Sequence, residues 1–358
     1  MWGDIAIAFL LAFITAFVIT PYTIRFAKKV GAVDIPKDER RINTKAMPRL
    51  GGIAVIAGFM VSVAYLLIVM SIENTFDLMG PENYYIKLIG FFIGIIVLGI
   101  VCFIDDVKQL PALIKLAGQI IVAVVAVACG IRIENIGLPF LDNINGIFSI
   151  ILTIGWIVGI TNAINLIDGL DGLSSGIAVI SCLSLLIIFS LNDSPLVAII
   201  LVTALAGALV GFLPFNFNPA KTFIGDTGSN FLGYCLAIIS ILGIAKTYTL
   251  IVIVAPLIVL ALPIFDTLWA IIRRTIAGKS LKAIIVPDRG HLHHRLMDKG
   301  YSQKQAVLIL YGISATLGMF AIILLESGLW KALSFALMVI AVFTIGYKDI
   351  FKLREKEN

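Results

Sequence analysis

Charged residues are scarce in this chain, and their scarcity excludes most classes of soluble protein. Only 14% of the 358 residues are Asp, Glu, Lys or Arg, whereas 60% are hydrophobic. Soluble domains carry about 25% charged residues. Apolar runs of about 20 residues recur along the chain, and each is long enough to cross the hydrocarbon core of a bilayer. The sequence therefore predicts an all-α polytopic membrane protein, with one integral-membrane domain over residues 1–358.

Cysteine is also rare, which argues against a disulfide or zinc framework. Cys102, Cys129, Cys182 and Cys235 lie in or beside apolar segments and form no C-x-x-C spacing. Such cysteines are predicted to be buried free thiols. No basic segment interleaved with aromatic residues stands outside the apolar pattern, so no nucleic-acid partner is expected.

About eleven membrane spans are predicted from segment length and flanking polarity. The first, from Trp2 to about Ile24, lacks a basic leader and is read as a span. The predicted centres are Phe13, Met60, Ile95, Val122, Trp156, Leu185, Ala206, Leu236, Val259, Gly318 and Ala336. Lys and Arg concentrate in the odd-numbered connections and the C-terminal tail. By the positive-inside rule, the N-terminus is predicted outside and the C-terminus in the cytoplasm, where these bases meet anionic membrane lipids.

Acidic residues gather where apolar segments end on that same cytoplasmic side. Asp105 and Asp106 close the third span, and adjacent carboxylates at a membrane boundary need a cation, a proton or water between them. A solvated helix end and the proton relay of a transporter are the alternatives to a substrate site. Asp226 opens the eighth span, where it is either a helix N-cap or a residue that a divalent cation bridges to phosphate at the helix start.

The fifth connection carries oxygen donors at regular spacing. Asn165, Asp168 and Asp171 recur every third residue, with Asn162 before them. On a helix end this spacing would place them on nearly one face. Hard oxygen donors suit Mg²⁺, which takes one or two carboxylates together with substrate phosphate oxygens.

All three histidines, His291, His293 and His294, lie in one short basic stretch beside Arg289 and Arg295. A zinc site and a solvated basic loop are alternatives. Because two arginines would oppose a cation and no cysteine is near, the stretch favours donors to phosphate oxygens.

Taken in order, these stretches resemble the polyprenyl-phosphate N-acetylhexosamine-1-phosphate transferases over nearly the whole chain. Further matching segments are residues 33–36, 48–52 and 263–267. The His-x-His-His-Arg-Leu form of residues 291–296 resembles the branch that transfers GlcNAc-1-phosphate at the start of teichoic-acid, common-antigen or capsule synthesis, and differs from the branch that uses UDP-MurNAc-pentapeptide. One departure is Asn43, where many relatives carry histidine.

The resemblance implies a reaction. Undecaprenyl phosphate attacks the β-phosphorus of UDP-GlcNAc, UMP leaves, and undecaprenyl-diphospho-GlcNAc stays in the bacterial plasma membrane, with the site facing the cytoplasm. Another UDP-N-acetylhexosamine is an alternative substrate, and a proton-coupled secondary transporter is the alternative class. A transporter predicts internal repeats and charges near the bilayer midplane, neither of which the sequence shows. Mg²⁺, with Mn²⁺ as a substitute, and a homodimer are implied by resemblance alone.

The resemblance also assigns roles to individual residues. It places Asp226 and Asn165 at the metal, Asp105 and Asp106 at the lipid phosphate, and Phe223 against the uracil. The remaining implied site residues are the catalytic His291, His293 and His294 and the substrate-binding Asp34, Lys115, Asp168, Asp171, Asn216 and Arg295. A phosphomonoester is largely dianionic at neutral pH, so one direct displacement is favoured over an aspartyl-phosphate intermediate. Asp266, inside a span, needs a partner, either Arg273, Arg274 or a polar cavity.

Overall fold

The computed structural model describes residues 2–35, 45–73, 84–133, 146–243, 250–278 and 290–341, and almost all of this part is helical. Two residues on each side of the first connection form a small antiparallel sheet, in which Val33 pairs with Pro48 and Asp34 with Met47. The elements are α1 (Trp2–Val30), β1 (Val33–Asp34), β2 (Met47–Pro48), α2 (Gly51–Ile72), α3 (Tyr84–Lys108), α4 (Ala112–Ala128), α5 (Gly146–Ile167), α6 (Leu173–Leu191), α7 (Leu196–Asn216), α8 (Gly225–Leu242), α9 (Leu250–Val259), α10 (Ala261–Gly278), α11 (Leu292–Asp298), α12 (Gln303–Ser327) and α13 (Leu329–Ala341). Asn43 and Arg289 lie outside the described residues.

Each of the eleven predicted span centres falls within a helix. Among the described residues, seven helices are long and apolar enough to cross a membrane: α1, α2, α3, α5, α6, α7 and α12. The chain is thus a multi-pass helical membrane protein, while the count of eleven spans and their orientation stay predictions. α8 is not in this group because its first turns carry Asp226, Ser229 and Asn230.

The segment predicted as the ninth span is divided at Leu260 into α9 and α10. Pro263 explains the break. It has no backbone N–H to donate to the carbonyl of Val259, and its ring crowds that carbonyl. The helical segment predicted as the ninth span, centred on Val259, is therefore broken at this point, and the span itself stays a prediction.

α7 and α8 form the centre of the bundle. Every residue of α8 except Asp226 is buried, and α7 packs against α1, α2 and α6 while α8 packs against α3 and α5. The surrounding helices expose large apolar side chains, such as Ile14, Ile68 and Ile100. Such an apolar surface is favourable in contact with lipid. The helices bind their own backbone polar groups, for which lipid offers no partners.

The polar ends of the helices meet at one end of the bundle. Arg49 before α2 contacts Asp226 of α8, Asp106 near the end of α3 contacts Thr227, and Asn218 after α7 contacts Gln303 at the start of α12. The odd-numbered connections therefore lie together, as the sequence predicts. The cysteines are free, and all but the partly buried Cys129 are buried.

Candidate active site

The connection after β2 is clamped against the segment that precedes α8. The backbone N–H of Phe223 donates to the carbonyl of Pro48 at 2.8 Å. Gly52 and Gly228 let α2 and α8 cross in close contact, because a Cβ on Gly52 would overlap the backbone of Gly228. This crossing fixes Arg49 above the first turn of α8.

Asp106 caps α8 from the neighbouring helix. Its Oδ1 accepts the backbone N–H of Asp226 at 2.9 Å, and its Oδ2 accepts the N–H and the hydroxyl of Thr227 at 2.9 and 2.6 Å. A carboxylate is favourable here because the helix N-terminus carries partial positive charge. The alternative that Asp226 is the N-cap is wrong, because the N–H groups of Asp226 and Thr227 are bound to Asp106 of another helix.

Asp226 lies in the first turn of α8 between two cations. Its Oδ2 accepts from Arg49 at 2.9 Å, and its Oδ1 accepts from the Nδ2 of Asn165 at 2.8 Å. Lys115 Nζ lies 3.5 Å from that same Oδ1 and 2.9 Å from Asp105. The adjacent carboxylates of the sequence are therefore stabilised by cations and helix-terminal donors.

The four regularly spaced polar residues after residue 161 do not share one face. α5 ends at Ile167, so only Asn162 and Asn165 stand on the helix. Asp168 accepts a hydrogen bond from the Ser174 hydroxyl at 2.6 Å, and Asp171 accepts from the side chain of Asn218 at 2.9 Å. The single-face prediction is wrong beyond Ile167, because the chain turns there.

A cavity of about 570 Å³ opens at this end of the bundle. Eight of the residues singled out from the sequence line it, namely Asp34, Asn165, Asp168, Asp171, Asn216, Phe223, Asp226 and His294. Burial raises the pKa of the Asp168 carboxyl to about 7. Segments far apart in sequence thus meet around one polar cavity.

Asn216 braces the cavity wall. Its Oδ1 accepts from the Ser175 hydroxyl at 2.7 Å, and its Nδ2 donates to the carbonyl of Thr222 at 3.1 Å. Both ends of the side chain are thereby engaged within the protein. Asn216 thus shapes the loop that carries Phe223, and its role in substrate binding stays a prediction.

His291 faces away from the cavity and pairs with Asp266. Its Nδ1 lies 2.8 Å from Asp266 Oδ2, and the backbone N–H of Leu292 donates to Asp266 Oδ1 at 2.8 Å. Arg274 reaches the other ring nitrogen of His291 at 3.2 Å. The sequence suggested Arg273 or Arg274 as a direct partner of Asp266. In these contacts the partner is His291, which lies between Asp266 and Arg274.

The other two histidines divide between the interior and the cavity. His293 is buried against Gly169, where any Cβ would overlap its ring. Burial lowers the pKa of His293 to about 3, so the ring is neutral at physiological pH. Its Nδ1 has no hydrogen-bond partner among the described residues. His294 lines the cavity.

Arg295, predicted to bind phosphate, is placed elsewhere. Its side chain is exposed, and its guanidinium lies 5.7 Å from the ring centroid of Trp269. This is a cation–π contact, and Arg295 is not among the residues that line the cavity.

Asp226 and Asn165, which we call the cavity floor, could hold a magnesium ion that also binds a substrate. No group of three or more His, Cys, Asp or Glu side chains among the described residues could hold a metal by itself. Mg²⁺ commonly takes one or two carboxylates and completes its shell with water and phosphate oxygens. Asp226, whose side chain is 14% exposed, fits as that carboxylate, whereas Asp106 is committed to the α8 terminus. Asn165 presents its Nδ2 to Asp226, and the opposite amide rotamer would present its oxygen.

Sequence reasoning missed four polar residues that line the cavity, namely Lys45, Arg49, Asn218 and Gln303. Arg49 and Lys45 were interpreted as part of the basic first connection that sets membrane orientation. The segment Pro48–Gly52 carried the signal, because two adjacent glycines after an arginine indicate a close backbone approach.

Comparison with known proteins agrees with this site. The family description "Glycosyl transferase family 4" matches residues 88–244. The chain is 41% identical to a probable undecaprenyl-phosphate N-acetylglucosaminyl 1-phosphate transferase of Bacillus subtilis, over 95% of this chain and 90% of that protein. It is 33% identical to a decaprenyl-phosphate N-acetylglucosaminephosphotransferase of Mycolicibacterium smegmatis, over 86% and 79%. It is also 31% identical to a phospho-N-acetylmuramoyl-pentapeptide-transferase of Bacillus cytotoxicus, over 89% and 96%.

These likenesses extend over almost the full chain and include the helices that build the cavity. They set aside the secondary transporter considered from the sequence. The chain belongs to the polyprenyl-phosphate N-acetylhexosamine-1-phosphate transferase family and is a membrane-embedded phosphoglycosyl transferase.

Proposed function

We propose that this enzyme transfers GlcNAc-1-phosphate from UDP-GlcNAc to undecaprenyl phosphate at the cytoplasmic face of a bacterial plasma membrane. UMP is released, and the lipid product starts a cell-envelope glycopolymer. The observation that carries the proposal is the position of Asp226 at the cavity floor, in contact with Arg49, Lys115 and Asn165. The name of the Bacillus subtilis relative supports the choice of both substrates.

The chemistry requires two anions to approach each other. An oxygen of the lipid phosphate bonds to the β-phosphorus of the sugar nucleotide, while the bond from that phosphorus to the α–β bridging oxygen breaks and UMP departs. Transfer of this kind depends on positioning and on electrostatic stabilisation. Arg49 and Lys115 supply positive charge beside Asp226. Because the lipid phosphate is largely dianionic near pH 7, no strong general base is needed.

Asp105 and Asp106 act in this scheme by positioning. Asp105 holds Lys115, and Asp106 holds the start of α8. Neither carboxylate is free of partners, which disfavours an aspartyl-phosphate on either one. We therefore favour a single displacement with inversion at phosphorus.

Mg²⁺ is part of the proposal, with Asp226 and Asn165 as the residues that would hold it. When bound, the ion supplies charge neutralisation for the diphosphate. Chelation by EDTA is expected to abolish activity, and Mg²⁺ or Mn²⁺ to restore it. Activity that persists in EDTA after dialysis would contradict this assignment.

Phe223, Asp168, Asp171 and His294 all line the cavity. We assign Phe223, Asp168 and Asp171 to the nucleoside and His294 to the diphosphate. The homodimer expected from the resemblance stays a prediction.

The test is a transfer assay with purified protein, undecaprenyl phosphate, Mg²⁺ and radiolabelled UDP-GlcNAc. Label should become extractable into butanol, with equimolar UMP formed. UDP-GalNAc and UDP-MurNAc-pentapeptide serve as competing donors in parallel reactions. If a different donor is used in place of UDP-GlcNAc, the sugar assignment is wrong; if none is used, the proposed reaction is wrong.

Asp226→Asn tests the residue on which the proposal depends. It should lower kcat by about a hundredfold or more, because it removes the charge at the point of transfer. Asp193→Asn is the matched control, since Asp193 is an exposed carboxylate in the turn between α6 and α7. Full activity in Asp226→Asn, or equal loss in both variants, would remove Asp226 from the mechanism.

A further inference from the structure

Three carboxamide side chains meet inside the bundle, deeper than the cavity floor. Gln119 of α4 donates from Nε2 to Asn230 of α8 at 2.8 Å, and Asn162 of α5 donates from Nδ2 to Gln119 Oε1 at 2.6 Å. Gln119 is 3% exposed and Asn230 is 1% exposed. We call Gln119, Asn162 and Asn230 the carboxamide triad.

Each member of the triad makes at least two hydrogen bonds. Gln119 Nε2 also reaches Asn162 Oδ1 at 3.4 Å. The Nδ2 of Asn162 donates further to the carbonyl of Val158 at 2.9 Å. Since an unpaired amide is costly in an apolar interior, any movement that separates these three side chains is opposed. The network therefore fixes the positions of α4, α5 and α8 relative to one another along their axes.

Each member of the triad stands one helical turn from Asp226 or from a residue that contacts Asp226. The pairs are Lys115 and Gln119 on α4, Asn165 and Asn162 on α5, and Asp226 and Asn230 on α8. Residues three or four apart lie on the same helix face. In α8 the link is direct, because Asn230 Nδ2 donates to the backbone carbonyl of Asp226 at 2.9 Å.

The consequence for the site is geometric. Lys115 and Asn165 reach Asp226 at 3.5 and 2.8 Å. A slip of one helix by a single residue would move its side chains by about 1.5 Å along the axis. Such a slip would break these contacts together with the triad.

We propose that the carboxamide triad is a positioning device for the transfer reaction, with Gln119 as its hub. It fixes the axial positions, relative to one another, of the three helices that carry Lys115, Asn165 and Asp226. Its members do not contact substrate. This inference rests on the proposed role of Asp226.

Gln119→Leu tests the hub, because leucine fills similar space without polar atoms. We expect kcat per folded enzyme to fall between about tenfold and a hundredfold, the range produced by small misplacements of reacting groups. The KM for UDP-GlcNAc should change by less than about threefold, since the cavity wall is untouched. Gln119→Glu, which keeps the shape of the side chain, replaces this variant if leucine prevents folding, and its kcat should also fall.

Ser62→Ala is the matched control. Ser62 is buried and donates to the carbonyl of Ala8 at 2.8 Å, between α1 and α2. Losing this hydrogen bond removes a buried polar contact of the membrane interior that has no link to Asp226. Its kcat should stay within about twofold of the wild-type value. A kcat within about twofold of wild type in Gln119→Leu, or an equal loss in Ser62→Ala, would overturn the proposal.

A double-mutant cycle and a binding measurement complete the test. The double variant Gln119→Leu/Asn230→Leu should have a kcat only slightly below that of the worse single variant, because members of one network act as a unit. Additive losses of kcat would count against the triad.

Mn²⁺ binding, followed by electron paramagnetic resonance, should weaken at least about threefold in Gln119→Leu, and unchanged binding would contradict the proposal. If the wild-type enzyme does not use UDP-GlcNAc, the proposed function fails, and the triad is still judged by the Mn²⁺ titration.

Discussion

Three carboxylates lie close together around the start of α8, and each is stabilised in a different way. Asp106 accepts the first N–H groups of α8, Asp105 pairs with Lys115, and Asp226 lies between Lys115 and Arg49. These partners reduce the mutual repulsion of the three carboxylates. Asp226 alone of the three lines the cavity, which makes it the carboxylate available to a substrate complex.

A fourth carboxylate, Asp168, gives a prediction about pH. Burial raises its pKa to about 7, so the folded protein retains this proton in a range where the unfolded chain has released it. The favourable contribution is complete below the ordinary pKa of about 4 and is lost as pH rises through about 7. An asparagine side chain at this position cannot ionise, so Asp168→Asn lacks this loss of stability. The melting temperature of wild type should therefore fall relative to that of Asp168→Asn by a few degrees between about pH 5 and pH 8.

The measurement is a thermal melt in detergent with EDTA, so that metal binding does not contribute. Asp193→Asn is again the control, because it removes an exposed carboxylate. A constant difference for Asp168→Asn would contradict the raised pKa.

Among the helices, α8 depends on its neighbours for its position. Its start is capped by α3, and its first turn crosses α2 where Gly52 meets Gly228. α11 is placed in a related manner, since Asp266 of α10 binds both the ring of His291 and the N–H of Leu292. Both helices are thus positioned by side chains from other parts of the chain.

Gly52→Ala tests the crossing of α2 and α8. The new methyl group would overlap Gly228, which should push Arg49 away from Asp226 and lower both the melting temperature and kcat, the latter by about tenfold or more. Gly99→Ala is the matched control on α3, because nothing lies within 4 Å of the position of its Cβ. It should retain activity and melt no lower than wild type. If Gly52→Ala and Gly99→Ala change kcat and melting temperature equally, the close crossing of α2 and α8 is not the cause of the loss.

Across the described part of the chain, polar helix ends meet on one side of the bundle, and we predict the orientation in the membrane from the distribution of basic residues. We predict that Glu73 faces outward and Lys221 faces the cytoplasm; both side chains are exposed in the structure. In a cysteine-free background, Glu73→Cys should react with a membrane-impermeant maleimide in intact cells. Lys221→Cys should react only after the cells are opened. The opposite labelling pattern, or reaction of both in intact cells, would reverse or invalidate the predicted topology.

The sequence by itself determined the class of the protein and most of the polar residues that line the cavity. Apolar segments must form helices in lipid because no water is present to bind their backbone groups, and the alternation of spans brings Asp106, Asn165 and Asp226 to one end. Which side chain pairs with which was decided only by the tertiary structure. The cap on α8 by Asp106, the contact of Arg49 with Asp226 and the pairing of Asp266 with His291 join residues 120, 177 and 25 positions apart. Such contacts depend on how the helices pack, and residue spacing along one chain does not specify them.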